Sequence, residues 1–346
     1  MPDDETRGPT PPGLRGTDCV PGLVSVVIPA FNAAAWIEAT IESVRAQTYA
    51  PVEVIVADDG SHDGTAAKAD ASGARVVPTT RAGPGGARNA GLAVARGEFI
   101  QFLDADDLLA PGKIARQVAL LSAMEADVAW EPFHHLVPSG AGHAGFEIGR
   151  RVVPEIGSDL AASLLRARGF VQMGAVLVRR SPRTSGVSFV PGREAVEDVR
   201  YLVELSMVGA RFASSDVGEA GLLFRQHTGP RYSTRPTRSF ARGCFANAVW
   251  AQSAWERTME GLTAERRLAL GEAYAFAARQ LAAVDPDAFH AAAERGLEHG
   301  DAFLRHLPAR VRWLTRLVGY RRAEFMAASW RRARWAASAA TPGEPR

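Results

Sequence analysis

Phe99-Ile100-Gln101-Phe102-Leu103-Asp104-Ala105-Asp106-Asp107 is an apolar run that stops abruptly in three carboxylates. A buried strand that delivers clustered negative charge at its C-terminal end needs a cation to make that charge tolerable. Hard oxygen ligands of this kind select Mg2+ or Mn2+. The stretch reads as a strand ending in a metal platform. The alternative is that the acids cap a helix starting near Pro111, since proline suits a first helical position and aspartate suits a cap.

Working upstream, the same grammar repeats. Leu23-Val24-Ser25-Val26-Val27-Ile28 is a nearly continuous β-branched run closed by Pro29, the pattern of a buried parallel strand. Trp36, Ile37, Ile41 and Val44 follow at helical spacing, and that helix must stop before Pro51. Val52 to Ala57 is the second strand, Asp58-Asp59-Gly60-Ser61 is the turn leaving it, and Asp63-Gly64-Thr65 opens another helix. A short strand over Ala74–Val77, a helix over Ala87–Ala95 and the strand Glu98–Leu103 complete the series. This β-α-β-α-β-α-β order predicts an α/β fold with a doubly wound, mostly parallel sheet, in which ligands sit beyond the carboxyl ends of the strands.

Composition sets the limits. The chain has 346 residues, 47% of them apolar, and a formal net charge of +2, which fits a globular protein and excludes a strongly basic one. No run approaches the roughly eighteen apolar residues of a membrane span, and no secretory leader pattern is evident. Cys19 and Cys244 have no metal-binding spacing and form no disulfide framework. These features predict a cytoplasmic protein. Residues 1–21, rich in proline with glycine and aspartate breaks, read as a disordered tail. Residues 22–235 read as the catalytic domain, with a strand over Phe170–Val178 and a helix over Glu194–Met207, and residues 236–340 as an α-helical appendage in which Asp285-Pro286 marks a helix start.

Three places where charge or glycine meets a strand end fall on one edge of this sheet: Asp58-Asp59, the loop Arg81–Asn89 containing Gly83, Gly85 and Arg88, and Asp104-Ala105-Asp106. A carboxylate after the second strand can accept from a ribose hydroxyl or the imide N–H of uracil. Arg88 and the glycine-loop amides, Gly85 among them, can meet phosphate oxygens, and a metal on Asp106 can bridge a diphosphate. Together they describe a nucleotide diphosphate site. A dinucleotide fingerprint is excluded because the first strand-to-helix turn, Pro29-Ala30-Phe31-Asn32-Ala33-Ala34, has no glycine, and no Gly-Lys-Ser/Thr triplet exists for a P-loop. A sugar-phosphate nucleotidyltransferase would want a basic, glycine-rich loop after the first strand, which is also missing.

Val24–Asn32, Val56–Thr65, Ala87–Leu92 and Phe102–Asp107 resemble, in order, the successive signatures of the family 2 glycosyltransferases with the GT-A fold. The resemblance is close over residues 23–118 and weaker to about 235. It implies inverting transfer of a sugar from a nucleotide diphosphate, usually UDP-linked, to an acceptor hydroxyl, as in the biosynthesis of cell-surface polysaccharides and other glycans. It also implies roles. Asp59, with Asp58 beside it, would contact base and ribose, and Pro29, Ala30, Phe31 and Asn32 would line the nucleoside pocket. Asp104, Ala105 and Asp106 match the DXD triplet that holds Mn2+ or Mg2+, with Asp106 favoured as the direct ligand. Glu197-Asp198 matches the pair supplying the catalytic base, assigned to Asp198, against the alternative that these acids only complement a helix dipole. Arg225, His227 and Arg231 lie where family members close a segment over the diphosphate, with His227 as a further metal ligand.

Two readings concern partners. From Arg305 to Trp335, arginines alternate with Trp313, Leu317, Tyr320, Phe325, Trp330 and Trp335, a basic amphipathic pattern that suits either an anionic membrane surface or packing on the rest of the protein. A peripheral site at the inner membrane face and a lipid-linked, glycan or small-molecule acceptor are both compatible with it. Nucleic acid is disfavoured, because no recognition module accompanies the arginines. A catalytically inactive scaffold that binds nucleotide sugar is the alternative to an enzyme.

Overall fold

The structure, a computed structural model, describes residues 19–139, 145–190, 196–216, 218–226 and 237–339, with side chains to residue 329. Two compact units emerge, residues 1–156 with 169–230, and residues 157–168 with 231–346.

The first unit opens with β1 (Val20–Ala30), α1 (Ile37–Arg45), β2 (Val52–Asp58), α2 (Thr65–Ala71), β3 (Arg75–Pro78), α3 (Gly83–Val94) and β4 (Gly97–Phe102). It continues through β5 (Leu108–Leu109), α4 (Lys113–Ala123), β6 (Val128–Trp130), β7 (Phe133–Ser139) and β8 (Gly145–Val152). After α5 (Leu160–Leu165) of the other unit come β9 (Val176–Arg179), α6 (Glu197–Met207), β10 (Phe212–Ser214) and β11 (Leu222–Arg225). Seven strands form one sheet in the order β10-β6-β9-β4-β1-β2-β3, and β5-β11-β7-β8 form a second.

The parallel core is the part that the periodicity anticipates. β1 lies between β2 and β4 and runs parallel to both. Val24, Val26, Val27 and Ile28 of β1 are fully buried, as are Ile55 and Val56 of β2, because helices cover both faces of such a sheet. Helix α3 comes so close to β1 that a Cβ on Gly91 would stand 2.4 Å from Val27 Cγ1. The central position of β1 brings the carboxyl ends of β2 and β4 out on either side of Pro29 and Ala30.

Two expectations need correction. Val20 and Pro21, assigned to the tail, belong to β1, where Val20 N–H donates to the Arg96 carbonyl and Gly22 N–H to Glu98. Of the segment Phe170–Val178, only Val176–Arg179 is strand, and it runs antiparallel to β4 and β6. Met173–Ala175 is a 3-10 turn whose Gly174 carbonyl accepts from the Gln101 side chain. An apolar run reads the same in either direction, so the sequence carries no signal of strand orientation here. The fully buried Lys113 ammonium holds α4 against the sheet through Gln101 Oε1 and the Val176 carbonyl, and burial pushes it down to about 7.

The second unit contains α5, α7 (Arg238–Glu256), α8 (Ala264–Val284), α9 (Pro286–Glu298), α10 (Asp301–Leu304), α11 (Ala309–Val318) and α12 (Tyr320–Ala339). Trp255, Tyr274, Phe289 and Phe303 form its core. The helical region therefore begins earlier than residue 236, since α5 belongs to it: Asp159 caps α5 at the Ala162 N–H and pairs with Arg266 of α8. Thr237 and Thr263 cap α7 and α8. Buried Asp285 caps α9 and receives Arg238 and Arg242, whose hydrogen bonds hold its carboxyl well below the usual range. Gly319, at φ +77°, separates α11 from α12, so the basic C-terminal segment is two helices.

Candidate active site

The turn after β1 is fastened to the turn after β2. Asn32 N–H donates to Ser61 Oγ, Ala33 N–H to Thr65 Oγ1 and Ala34 N–H to Asp63 Oδ2, while the His62 N–H donates to Asn32 Oδ1. The sequence Asp-Gly-Ser-His-Asp-Gly-Thr thus provides both the start of α2 and the acceptors that orient Phe31 and Asn32. Phe31 is 36% exposed, and the Arg81 guanidinium lies over its ring at 4.6 Å. Asn32, at φ +50°, adopts the left-handed conformation that asparagine tolerates better than most residues.

Asp58 and Asp59 are both buried yet differ in what they hold. Asp59 Oδ1 accepts from Thr79 Oγ1 at 2.6 Å and from Ala82 N–H at 2.7 Å, and Oδ2 accepts from Gly83 N–H at 2.9 Å. Asp58 Oδ2 accepts only the Ser61 N–H at 3.2 Å, and buried Oδ1 has no hydrogen-bond partner among the described residues. Asp58, rather than Asp59, keeps an acceptor free for a ligand. Between Arg81 and Asn89 the chain is helical from Gly83 onward, so the expected glycine loop is the first turn of α3, and two of its leading amides, Ala82 and Gly83, are taken by Asp59. Gly85 faces inward: a Cβ there would meet Glu197 Cγ at 3.1 Å and Phe189 Cβ at 3.3 Å.

Arg88 is 4% exposed and joins two elements. Its Nη2 donates to Asp104 Oδ1 at 2.7 Å, just beyond β4, and its Nη1 to Glu197 Oε1 in the first turn of α6. Burial would lower the guanidinium pKa, but the charges of Asp104 and Glu197 reverse the effect and raise it. Arg88 is therefore held between carboxylates and not presented openly to phosphate. Next to it, the Asn89 side chain clamps the backbone of Phe189, donating to its carbonyl at 2.8 Å and accepting its N–H at 3.0 Å. Phe189 stacks on Tyr201 of α6 at 4.3 Å, with Phe102 of β4 edge-on to both. This packing fixes where α6 begins. Sequence reasoning missed Asn89 and Phe189, whose partnership spans 100 residues and leaves no local signature.

Val196, a β-branched residue at φ +61°, leads into α6 in a conformation such residues rarely adopt, and the pair Glu197-Asp198 follows. Glu197 is buried against Arg88. Asp198 is half-buried and accepts its neighbour's N–H at Val199. Burial pushes the Asp198 carboxyl up to about 7, the Glu197 charge adds to the rise and Arg88 opposes it. A carboxylate poised near neutrality suits a general base.

At the end of β4 the acids divide as well. The Asp104 side chain is 34% exposed and Asp106 is half-exposed, whereas Asp107 is 1% exposed and accepts the Arg225 N–H at 2.9 Å. None of them caps α4, which starts from Gly112. The Ala105 carbonyl accepts from Thr40 Oγ1 of α1, fixing the tip. Among the described residues no three potential ligand side chains converge on one point. Asp104 and Asp106 nonetheless suit a divalent cation whose remaining ligands are phosphate oxygens, the usual arrangement for Mg2+. Arg225 is buried, with its guanidinium 4.7 Å from the Trp36 ring and 5.0 Å from Phe146. His227 and Arg231 lie outside the described residues, as does Glu194.

Residues 25–135 match the family model described as glycosyl transferase family 2. Over this segment the chain is similar to glycosyltransferase family 2. An uncharacterized glycosyltransferase of Nostoc is 33% identical over 182 residues, 51% of this chain and 52% of that one. The family 2 signatures also align with an Escherichia coli UDP-Glc:alpha-D-GlcNAc-diphosphoundecaprenol beta-1,3-glucosyltransferase, WfgD, at 42% identity over 103 residues, covering 29% of this chain and 41% of that one. The Rhizobium meliloti succinoglycan biosynthesis protein ExoO is 42% identical over 123 residues, 34% of each chain. The chain spans about half or less of the length of these curated relatives. The crystal structure of Staphylococcus aureus TarS 1-349 shares the GT-A fold, with a TM-score of 0.61 at 19% identity over 90% of this chain and 91% of that one.

Proposed function

We propose that this chain is an inverting glycosyltransferase that moves a sugar from a UDP-linked donor to an acceptor hydroxyl during assembly of a polysaccharide or lipid-linked glycan. The observation carrying the proposal is the Asp104–Arg88–Glu197 bridge, which fastens the acidic tip of β4 to the helix bearing Asp198. The UDP-glucose donor and diphosphoundecaprenol acceptor in the name of the E. coli relative support the donor and acceptor classes.

In this reading Asp58 Oδ1 accepts from the base or ribose, and Phe31 under Arg81 forms the rim of the nucleoside site. Asp198 takes the proton of the attacking hydroxyl, a contribution of typically 10²–10⁴-fold. Because the acceptor attacks opposite the departing diphosphate in one displacement, the anomeric centre inverts and no enzyme-bound intermediate is needed. Arg88 keeps Glu197 and Asp104 in fixed places around that event. A divalent cation, Mn2+ or Mg2+, held by Asp104 and Asp106 would supply charge neutralisation at the diphosphate.

The test is a thermal-shift screen of UDP-, GDP- and TDP-sugars with Mn2+, followed by assay of nucleotide release. A UDP-sugar at a hundred times its dissociation constant should stabilise the protein by about 2.7 kcal/mol, and release of UDP should require an acceptor and give the inverted anomer. If no nucleotide sugar stabilises the chain, the reading fails. Stabilisation without release on any acceptor points instead to a nucleotide-sugar-binding scaffold.

A further inference from the structure

Between residues 302 and 323 the chain carries six arginines, Arg305, Arg310, Arg312, Arg316, Arg321 and Arg322, and no carboxylate. The helix α11 at the centre of this segment buries Val311 and turns its opposite side outward. Trp313 and Leu317, one helical turn apart, are 60% and 63% exposed. At 100° per residue, Arg312 and Arg316 run along one flank of this apolar strip and Arg310 stands on the other, and all three are exposed. Of the arginines beyond the strip, Arg321 pairs with Glu294. The side chains from Trp330 to Trp335 lie outside the described residues.

We propose that the outward face of α11 is a docking surface for an anionic phospholipid bilayer, with Trp313 and Leu317 entering the headgroup boundary and Arg310, Arg312 and Arg316 meeting lipid phosphates. A narrow apolar strip edged on both sides by cations matches a surface that is apolar in depth and anionic all around. Tryptophan suits that boundary because its ring is apolar and its N–H is polar. A second protein copy is a poorer occupant. The two exposed side chains would bury roughly 300–400 Å², against about 800 Å² per partner in a stable protein interface. No helix among the described residues is long and apolar enough to cross a membrane, so the contact is one of lying on the surface.

The test uses the full chain, without donor or acceptor, in co-sedimentation with phosphatidylcholine vesicles and with vesicles of equal parts phosphatidylcholine and phosphatidylglycerol. Binding to the anionic vesicles at low salt, weakened by added salt and at least ~10-fold poorer on phosphatidylcholine, is expected. At roughly five-fold per arginine, combined Arg310→Gln, Arg312→Gln and Arg316→Gln should weaken it on the order of a hundred-fold. Trp313→Ser with Leu317→Ser should weaken it at least ~10-fold. Unchanged circular dichroism and melting in both variants distinguish loss of the surface from loss of the fold. Absence of binding to the anionic vesicles, equal binding to both vesicle types, or unchanged binding by either variant overturns the proposal. Self-association that Trp313→Ser with Leu317→Ser abolishes, with no vesicle binding, replaces the bilayer with a second copy. Vesicle binding is read without sugar transfer, so the two proposals fail separately.

Discussion

The tips of β2 and β4 each present adjacent acids, and in each one acid serves the fold while another is left with free oxygen valence. At β2, Asp59 receives Thr79, Ala82 and Gly83, whereas Asp58 keeps one oxygen without a partner among the described residues. At β4, Asp107 is buried on the backbone of β11, whereas Asp104 gives one oxygen to Arg88 and remains one-third exposed, with Asp106 beside it. Neighbouring carboxylates with the same charge therefore have separate tasks, set by how many donors the local backbone aims at each. The β4 tip offers two carboxylates, Asp104 and Asp106, that could hold a cation only with phosphate oxygens completing its ligands, while the β2 tip offers a single oriented acceptor.

The largest expected effect falls on the β4 tip. If Asp106 is a ligand of the proposed cation, Asp106→Asn should cost several kcal/mol of transition-state charge stabilisation, or roughly 10³–10⁴-fold in turnover. Assay of UDP release together with a melting curve checks this: turnover should collapse while the melting temperature stays within about a degree. If the variant retains turnover, the cation site lies elsewhere.

Next in size is the proposed base, Asp198, which follows the Glu197 that Arg88 holds. Asp198→Asn should lower kcat about 10³-fold, the middle of the usual range for a general base, and leave UDP affinity unchanged. The carboxyl works only when ionised, so kcat/KM of the wild type should climb with pH to about 7 and level off above it, and the residual activity of the variant should lack that limb. Stability follows the opposite sign. A carboxyl raised on folding favours the protonated form, so its contribution is present below the unfolded value of about 4 and is lost as pH rises through about 7. Asp198→Asn should consequently melt above the wild type at pH 8 and equal to it at pH 4. A pH-independent wild-type rate would remove Asp198 from the role.

The structural acids come third, with the effect moved from activity to stability. Asp59→Asn replaces an acceptor with an N–H2 facing backbone donors, and Asp107→Asn weakens the hold on the Arg225 N–H. Each should cost about 1–3 kcal/mol, read as a lower midpoint in urea, with donor KM changed far less than stability. An Asp59→Asn protein of full stability but lost donor binding would reverse the assignment at β2.

These distinctions mark where the sequence is legible. The alternation from β1 to β4 is written in local patterns, since the strands are short apolar runs bounded by turn residues and helical segments separate them, and a parallel sheet then brings the strand tips together without further information. The motifs at the tips could be located in the same way. Which member of a motif holds the fold and which faces a ligand depends on partners far off in sequence: Arg88 meets Glu197 109 residues later, and Asn89 meets Phe189 100 residues later. Nothing near Arg88 distinguishes a phosphate-binding arginine from one locked between two carboxylates. The antiparallel entry of β9 escaped for a related reason, because pairing partners and not its own apolar residues decide its direction.

The smallest effect is also the sharpest probe of the comparison. Asp58→Asn keeps the shape of the side chain and leaves its carbonyl oxygen to accept the Ser61 N–H, but it puts an amide N–H2 where the partnerless oxygen now lies. A uracil imide or ribose hydroxyl that donates to that oxygen would then face a donor, at a cost of about 1–3 kcal/mol, or roughly ten- to a hundred-fold in donor KM. The kcat should stay within about two-fold, because nothing at the departing diphosphate has changed. The apo protein loses no hydrogen bond, so its melting point should hold, in contrast to Asp59→Asn one residue along. A donor cytidine diphosphate sugar, whose ring N3 bears no hydrogen and cannot donate, should be less sensitive to the substitution than the uridine one. Equal penalties for all bases would move the Asp58 contact from the base to the ribose, and a fall in stability with no change in KM would make Asp58 a second structural acid.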